Sequence, residues 1–299
     1  MKIEKYAAID IGSNAIRMLI SNVIKGNNDN VFFSKNSLVR VPIRLGEDTF
    51  TSGNISNQNI KRVLKAIKAI MLLIKIHEVV DFNVYATSAL REAKNKSSVV
   101  RLIKDKTGVE IEIIDGEKEA KLISSSNLLK EINKQSDFLF VDVGGGSTEF
   151  SIIHNGKKVI EKSFKIGTVR ILKNMISDLL WNEMQNWIVD NTKKFKKLII
   201  LGTGGSINKI HKMTQEKEDK PVSLKTLKLL NETLSLLTYN ERIIKYQLNP
   251  DRADVILPAS QIYIRIMEWS KASKIFVSKI GLSDGMIEEL YRSKNNLNI

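Results

Sequence analysis

The sequence predicts an α/β chain built as two related lobes, on three observations. Strand-like and helix-like runs alternate along the chain, the pattern of a largely parallel sheet covered by helices. A strand ending in Asp-X-Gly-small occurs twice, at Asp10-Ile11-Gly12-Ser13 and at Asp142-Val143-Gly144-Gly145, each time turning tightly into a second strand. Each half later has a strand that opens through small and hydroxyl residues into a helix, at 86–90 (ATSAL) and 201–206 (LGTGGS). A length of 299 residues suits two domains. The boundary is expected within 124–136, giving lobes 1–124 and 125–299, with the final helix able to pack back on the first. Two such lobes facing each other would set both glycine turns on the walls of one cleft.

In order, YAAI (6–9) reads as a short buried strand, IRMLISNVI as its hairpin partner, and FFSKNSLVRVPI as a third strand ended by Pro42. After a polar stretch, Val63, Leu64, Ile67, Ile70, Met71 and Ile74 recur at three and four, an amphipathic helix. FNVYAT is a strand, one helix is expected from about Ala89 to Gly108, VEIEIID alternates as a strand, and Gly116 opens a helix over EKEAKLISSSNLLKEI. In the second half FLFVDV is a strand, and EFSIIHNGKKVIEKSFKIG a hairpin, because Asn155-Gly156 between alternating apolar residues favours a type I′ turn. Helices are expected over 174–193, from Ser206, over 224–238 and over 251–269, around strands KKLIIL and KIFVSKIG. QEKEDKP (215–221) is a charged loop, and GMIEELYRS closes the chain as a helix.

Composition removes several chemistries. There is no cysteine, so no disulfide, thiolate or zinc-finger site, and three scattered histidines make a histidine-rich metal centre an unsuitable reading. Lys and Arg number 47 against 33 Asp and Glu, a net charge of +14, which attracts polyanions. The lysines are dispersed, however. The densest cluster, Lys193, Lys194, Lys196 and Lys197, encloses a single aromatic, Phe195, so no dedicated nucleic-acid site is expected. The N-terminal apolar run is interrupted by Glu4 and Asp10, and no stretch reaches the ~18 apolar residues of a membrane span. A cytoplasmic chain with no membrane partner is the expectation.

Glycine-rich turns after strands suit phosphate, since backbone N–H groups can line an anion site without a charged side chain. Gly144-Gly145-Gly146-Ser147-Thr148 offers such donors and two hydroxyls, and Gly12-Ser13-Asn14 a smaller set. Asp10, Asp142 and Glu149 lie beside these turns, either holding a hard cation such as Mg²⁺ or, for the aspartates, accepting backbone hydrogen bonds. Arg17 and Arg91 could meet phosphate oxygens, Arg91 from the start of a helix, or be ordinary surface arginines. By spacing alone, Glu117 and Glu119 serve only the dipole of the helix after Gly116.

The pieces DIGSNAIR (10–17), ATSALREAKN (86–95), DGEKEAKLI (115–123), DVGGGSTEF (142–150), KIGTVRI (165–171), LGTGG (201–205), RADVILPA (252–259) and GLSDG (281–285) resemble, in order, the motifs of the Ppx/GppA exopolyphosphatase and guanosine pentaphosphate phosphohydrolase family. The resemblance implies the actin-like, sugar-kinase and Hsp70 ATPase fold. It also implies Mg²⁺-dependent release of the terminal phosphate from polyphosphate or pppGpp, in a short form without an HD-type domain, as a homodimer. By position it marks Glu119 as the catalytic glutamate and Asp142 and Glu149 as metal-linked acids. Gly12 to Asn14, Arg91, and Gly144 to Thr148 are marked as phosphate-binding. The chain departs from the family pattern at Lys118-Glu119, where an acidic pair is usual, at Ser283-Asp284 in place of Arg-Glu, and at Ala259 in place of Gly. The rival readings are an ATP-using kinase of the same fold and a binder of guanosine polyphosphates or other polyanions without turnover.

Overall fold

Three consecutive apolar runs near the N-terminus form antiparallel strands in the computed structural model, which describes residues 2–26, 30–125, 136–195, 197–217 and 220–296. Strand β1 (Lys2–Ile11) pairs with β2 (Ala15–Lys25), and β2 with β3 (Val31–Pro42). Residues Tyr6 to Ile11 are buried throughout, as befits a strand covered on both faces. Helices α1 (Leu45–Ser52) and α2 (Asn57–Ile76) lead to β4 (Asp81–Ala86), which runs parallel to β1. Ser56 caps α2 by accepting from the Asn59 N–H, and Val63, Ala66, Ile67, Ile70 and Ile74 form its buried stripe. Helices α3 (Ser88–Glu92) and α4 (Lys96–Thr107), strand β5 (Glu112–Ile113), parallel to β4, and α5 (Gly116–Ser125) complete this stretch. The sheet order is β3-β2-β1-β4-β5.

The same plan recurs. Strands β6 (Asp137–Val143), β7 (Thr148–His154) and β8 (Lys157–Phe164) are antiparallel neighbours, and β6 runs parallel to β9 (Leu198–Thr203). Asn155 and Gly156, at φ of 50° and 71°, make the two-residue hairpin turn. Helices α6 (Thr168–Leu172) and α7 (Asp178–Thr192) precede β9. After it come α8 (Gly204–Met213), β10 (Val222–Ser223), α9 (Leu224–Leu236), α10 (Tyr239–Tyr246), α11 (Pro250–Ala253), α12 (Ile256–Trp269) and β11 (Lys274–Val277). The order β10-β11-β9-β6-β7-β8 repeats that of the first sheet, an antiparallel trio continued by parallel strands, with β10 added at one edge. This is the duplicated α/β plan that the sequence predicts.

The chain divides into two compact units, Met1–Ser126 with Leu282–Ile299, and Asn127–Gly281. The final helix, α13 (Leu282–Lys294), belongs to the first unit. Its Leu282, Met286, Ile287 and Tyr291 share a core with Tyr6, Ala8, Leu19, Leu122 and Ile123. Each buried Leu, Ile or Met side chain here contributes roughly 1.5–3 kcal/mol. The second unit has its own core, centred on Leu139, Val141, Phe150, Ile200, Ile207, Ile262 and Tyr263. The linker expected at 124–136 lies largely outside the described residues, as do Lys196 of the lysine cluster and Glu218 and Asp219 of the charged loop. Among the described residues, no helix is long and apolar enough to cross a membrane.

Several expected elements are divided differently. The helix expected from Ala89 to Gly108 breaks between Glu92 and Lys96, because the Asn95 amide accepts from the Ile55 N–H at 3.0 Å and donates to the Ile55 carbonyl at 2.9 Å. The alternating VEIEIID contributes only a two-residue strand. The helix expected from Asn174 begins at Asp178, since Asn174 closes α6 with φ of 52° and Ser177 caps α7. The single helix expected over 251–269 is divided into α11 and α12, and a helix not expected from the sequence, α10, starts at the Thr238–Glu241 capping box. The polar stretch after Pro42 carries α1.

Gly285 on α13 lies so close to the Leu122 carbonyl of α5 that a Cβ there would collide with backbone. Gly285→Ala should therefore cost about 3 kcal/mol or more, because neither helix backbone can yield cheaply. Urea unfolding of the variant checks this through a lowered midpoint.

Candidate functional site

In the first unit the C-terminal ends of the parallel strands β1 and β4 converge, with Asp10 beside Tyr85 and Ile11 beside Ala86. Asp10 is 2% exposed, and its Oδ2 accepts from Arg17 Nη1 at 2.8 Å, directly across the β1–β2 pairing. Its Oδ1 is buried without a hydrogen-bond partner. Burial pushes the Asp10 carboxyl above its ordinary value of 3.8, against the charge and hydrogen bond of Arg17. Gly12 makes the tight turn, its N–H donating to the Ala15 carbonyl at 3.1 Å. The Ser13 hydroxyl is buried against that of Ser88, 2.8 Å away at the start of α3. Asn14 follows, its carbonyl accepting from the N–H groups of Ile43 and Arg44.

The segment that braces this turn carries no motif in the sequence. Besides those two bonds, the Gly46 N–H donates to the Ser13 carbonyl at 2.8 Å. Arg62 on α2 holds the segment from outside, donating to the Pro42 and Ile43 carbonyls at 2.7 and 2.9 Å. Within it Arg44 has φ of 64° and ψ of 42°, a left-handed backbone that costs a side-chain-bearing residue roughly 1–2 kcal/mol. Its guanidinium pairs with Glu47 at 2.8 Å.

Arg91 and Glu119 meet on the same unit. Arg91 lies in the last turn of the five-residue α3 and not at a helix start, so the helix dipole does not favour an anion there as its place in the sequence suggests. Its Nη1 donates to the Ile114 carbonyl at 2.7 Å and lies 3.5 Å from Glu119 Oε2. Glu119 is 7% exposed in the first turn of α5, a helix capped by Asp115, whose Oδ1 accepts from the Lys118 N–H at 2.7 Å. Lys118 is directed elsewhere. Its ammonium pairs with Glu112 at 2.7 Å, donates to the Tyr85 hydroxyl at 3.3 Å and approaches Glu289 of α13 at 3.9 Å. The Tyr85 hydroxyl donates to Glu289 at 2.5 Å, and burial together with Glu289 pushes it up to about 12.

The second unit builds its turn from backbone. The Gly144 N–H donates to the Ser147 carbonyl at 2.9 Å, and the carbonyls of Gly144 and Gly145 accept from the Thr168 and Val169 N–H groups at 3.0 and 2.8 Å. Arg170 Nε donates to the Gly146 carbonyl at 2.7 Å. A Cβ on Gly167 would lie 2.5 Å from Gly145, so only glycine lets α6 dock here. The Thr148 hydroxyl is fully buried and donates to the Ile166 carbonyl at 2.6 Å. Asp142 lies opposite both Glu149 and Thr203 in the sheet, and one Glu149 oxygen accepts from Ser163 at 3.0 Å. Asp142 also approaches Gly204 so closely that a Cβ there would collide with it. Tyr263, donating to the Thr203 carbonyl, is held well above its usual pKa by burial and then by Asp142. Arg252, in the RADVILPA motif, donates to the Gly205 carbonyl. The motif residues Gly167, Arg170 and Arg252 are thus supports for the glycine turns, a role their spacing could not disclose.

Thus the first unit brings Asp10 and Arg17 together beside the Gly12 to Asn14 turn and pairs Arg91 with Glu119, and the second gathers Asp142, Gly144 to Thr148 and Glu149. The hydroxyls of Ser13 and Thr148 are each engaged within their own unit. The acids fit a hard cation in donor type, all oxygen, and the buried Oδ1 of Asp10 lacks a protein partner. Among the described residues no three His, Asp or Glu side chains cluster as a metal cage. Mg²⁺ commonly takes one or two carboxylates with waters and substrate phosphates.

The model of the Ppx/GppA phosphatase family matches residues 28–294. A bifunctional 3-dehydroquinate synthase/phosphatase of Fusobacterium nucleatum is 32% identical over 310 residues, covering 93% of this chain and 46% of that protein. Exopolyphosphatase 1 of Mycobacterium tuberculosis is 25% identical over 174 residues, covering 58% of this chain and 49% of that one. The chain matches about half the length of each of these two relatives. The solved exopolyphosphatase of Cytophaga hutchinsonii has the same fold, with a TM-score of 0.83 at 23% identity over 99% of both chains.

The Asp10 carboxyl gives a signed pH dependence. The native state holds its proton to higher pH than the unfolded chain, so this group's contribution to stability falls as pH rises from about 3.8 through the raised native value. Urea unfolding across that range should show wild type losing stability relative to Asp10→Asn as pH rises, with the difference levelling off above it.

Proposed function

Because the chain belongs to the Ppx/GppA phosphatase family, we propose that it hydrolyses terminal phosphoanhydride bonds, with inorganic polyphosphate or pppGpp as substrate and Mg²⁺ as cofactor. The observation that carries this reading is the buried Glu119 carboxylate at the start of α5, 3.5 Å from an Arg91 guanidinium that is itself anchored on the Ile114 carbonyl. A carboxylate so restrained suits orienting a water and taking its proton. The water oxygen bonds to the terminal phosphorus in line as the bridging P–O bond breaks. The shortened chain and orthophosphate leave, and Glu119 returns its proton to solvent. Phosphoryl transfer asks little covalent chemistry of the protein, so positioning and charge dominate.

The remaining residues take the phosphate. The N–H groups of Gly145 to Thr148, and those of Ser13 and Asn14, bind phosphate oxygens, with Arg17 and Arg91 adding charge, while Gly12 and Gly144 close the two turns through their own N–H groups. Asp10, Asp142 and Glu149 are the residues that would hold Mg²⁺, which when bound neutralises phosphate oxygens. The Fusobacterium relative's name includes a phosphatase, which supports phosphate hydrolysis without specifying a substrate. Lys118 is engaged by Glu112 and Tyr85. The departure from an acidic pair therefore argues little for a binder without turnover.

Glu119→Gln tests the assignment. Phosphate release from long polyphosphate, tripolyphosphate and pppGpp in Mg²⁺ should fall by about 10²–10⁴-fold, the usual worth of a general base, with the unfolding midpoint unchanged. Turnover near wild type would remove Glu119 from the mechanism. Wild type that phosphorylates a metabolite from ATP without releasing phosphate would instead indicate a kinase.

A further inference from the structure

The segment that braces the Gly12–Asn14 turn is itself held by one side chain. Arg62 lies on the exposed side of α2, outside every motif of the sequence, yet its guanidinium is turned onto backbone. Its Nη2 donates to the Pro42 carbonyl at 2.7 Å, and its Nη1 to the Ile43 carbonyl at 2.9 Å and to Asn59 Oδ1 at 2.9 Å. Asn59 is fixed in turn by donating to Asp48 Oδ2 at 2.8 Å. A planar fork that reaches two successive carbonyls holds both peptide groups at once, which a single point of charge does not.

Those two carbonyls begin a relay. In a trans peptide the C=O and the following N–H point in opposite directions, and no cis bond occurs among the described residues. The peptide groups joining Pro42 to Ile43 and Ile43 to Arg44 therefore accept from Arg62 at one end and donate from the other. Both of their N–H groups converge on the Asn14 carbonyl, at 3.3 and 2.9 Å. Two residues after the left-handed Arg44, the Gly46 N–H meets the Ser13 carbonyl at 2.8 Å. Gly46 packs there so tightly that a Cβ would lie 3.0 Å from the Ser13 Cβ. By the same trans geometry, the captured Ser13 carbonyl turns the Asn14 N–H the opposite way. One segment thus grips both peptide planes of Asn14, and Arg62 clamps that segment from behind.

We infer that Arg62 is a positioning residue for the reaction, aiming the Asn14 N–H through the 42–46 backbone. This rests on the reading above, in which the Ser13 and Asn14 N–H groups meet phosphate and Glu119 drives hydrolysis. Donors already in place stabilise the charge that develops in the transition state more than they stabilise bound substrate. A loosened turn therefore shows in kcat before it shows in KM.

The test follows phosphate release from long polyphosphate, tripolyphosphate and pppGpp in Mg²⁺ by the full chain as wild type, Arg62→Gln, Arg62→Lys and Arg62→Ala. Rates are measured at a temperature where thermal unfolding shows every form fully folded. In Arg62→Gln kcat should fall about tenfold with KM within about threefold, a smaller loss than the ~10²–10³-fold for deleting such a donor outright. Arg62→Lys should lie between, because an ammonium has no fork for two carbonyls. Millimolar guanidinium should restore part of kcat to Arg62→Ala. Wild-type kcat in Arg62→Gln, or equal losses in all three variants without rescue, would overturn the inference while hydrolysis by wild type stands. Wild type that releases no phosphate would sink the hydrolase reading, and calorimetry with tripolyphosphate then decides the inference. Binding about tenfold weaker in Arg62→Gln than in wild type, as expected for a turn no longer pre-organised, upholds it. Equal affinity, or no binding by wild type, overturns it.

Discussion

The ion pair between Asp10 and Arg17 is the constraint around which the first unit is arranged. A carboxylate with 2% exposure cannot stay charged cheaply without a partner, and the partner comes from the residue opposite it in the sheet. The pair therefore ties three things to one register: the β1–β2 hairpin, the Gly12 turn that closes it, and the outward side of the same row, where Arg40 lies. A slip of one residue would turn Arg17 to the other face and leave Asp10 buried alone.

The two units present related turns by different means. In the first, side chains do much of the holding, with Ser13 on Ser88 and Arg62 on the backbone at Pro42 and Ile43. In the second, the short helix α6 docks its own N–H groups and Arg170 on the carbonyls of Gly144 to Gly146, and Gly167 permits the approach. Either way the turn is held from behind by bonds that a ligand need not supply. That pre-organisation suits electrostatic catalysis, where donors should already be in place.

The end of the chain serves its beginning. Helix α13 packs on α5, which carries Glu119, and Glu289 from α13 joins Tyr85 and Lys118 in one polar cluster. The lysine that replaces an acidic residue beside Glu119 is thereby directed to Glu112, Tyr85 and Glu289. A change that looks disruptive as a string of letters is absorbed by Glu112 in the preceding strand and by two neighbours distant in sequence.

Much was legible from the sequence alone: the alternation of elements, the duplicated Asp-X-Gly turns, the Asn155-Gly156 hairpin, and a motif series specific enough to indicate the family. These features are local, since periodicity, turn residues and spacing act over a few positions. The rest required tertiary structure. Asn95 breaks a promising helix because its amide finds Ile55, and Arg91 lies at a helix end because that break comes early. The row of Asp10, Arg17 and Arg40 across β1, β2 and β3 was equally hidden. Strand pairing assembles it from three separated segments, and like charges gathered through register leave no trace in the spacing of letters along one chain.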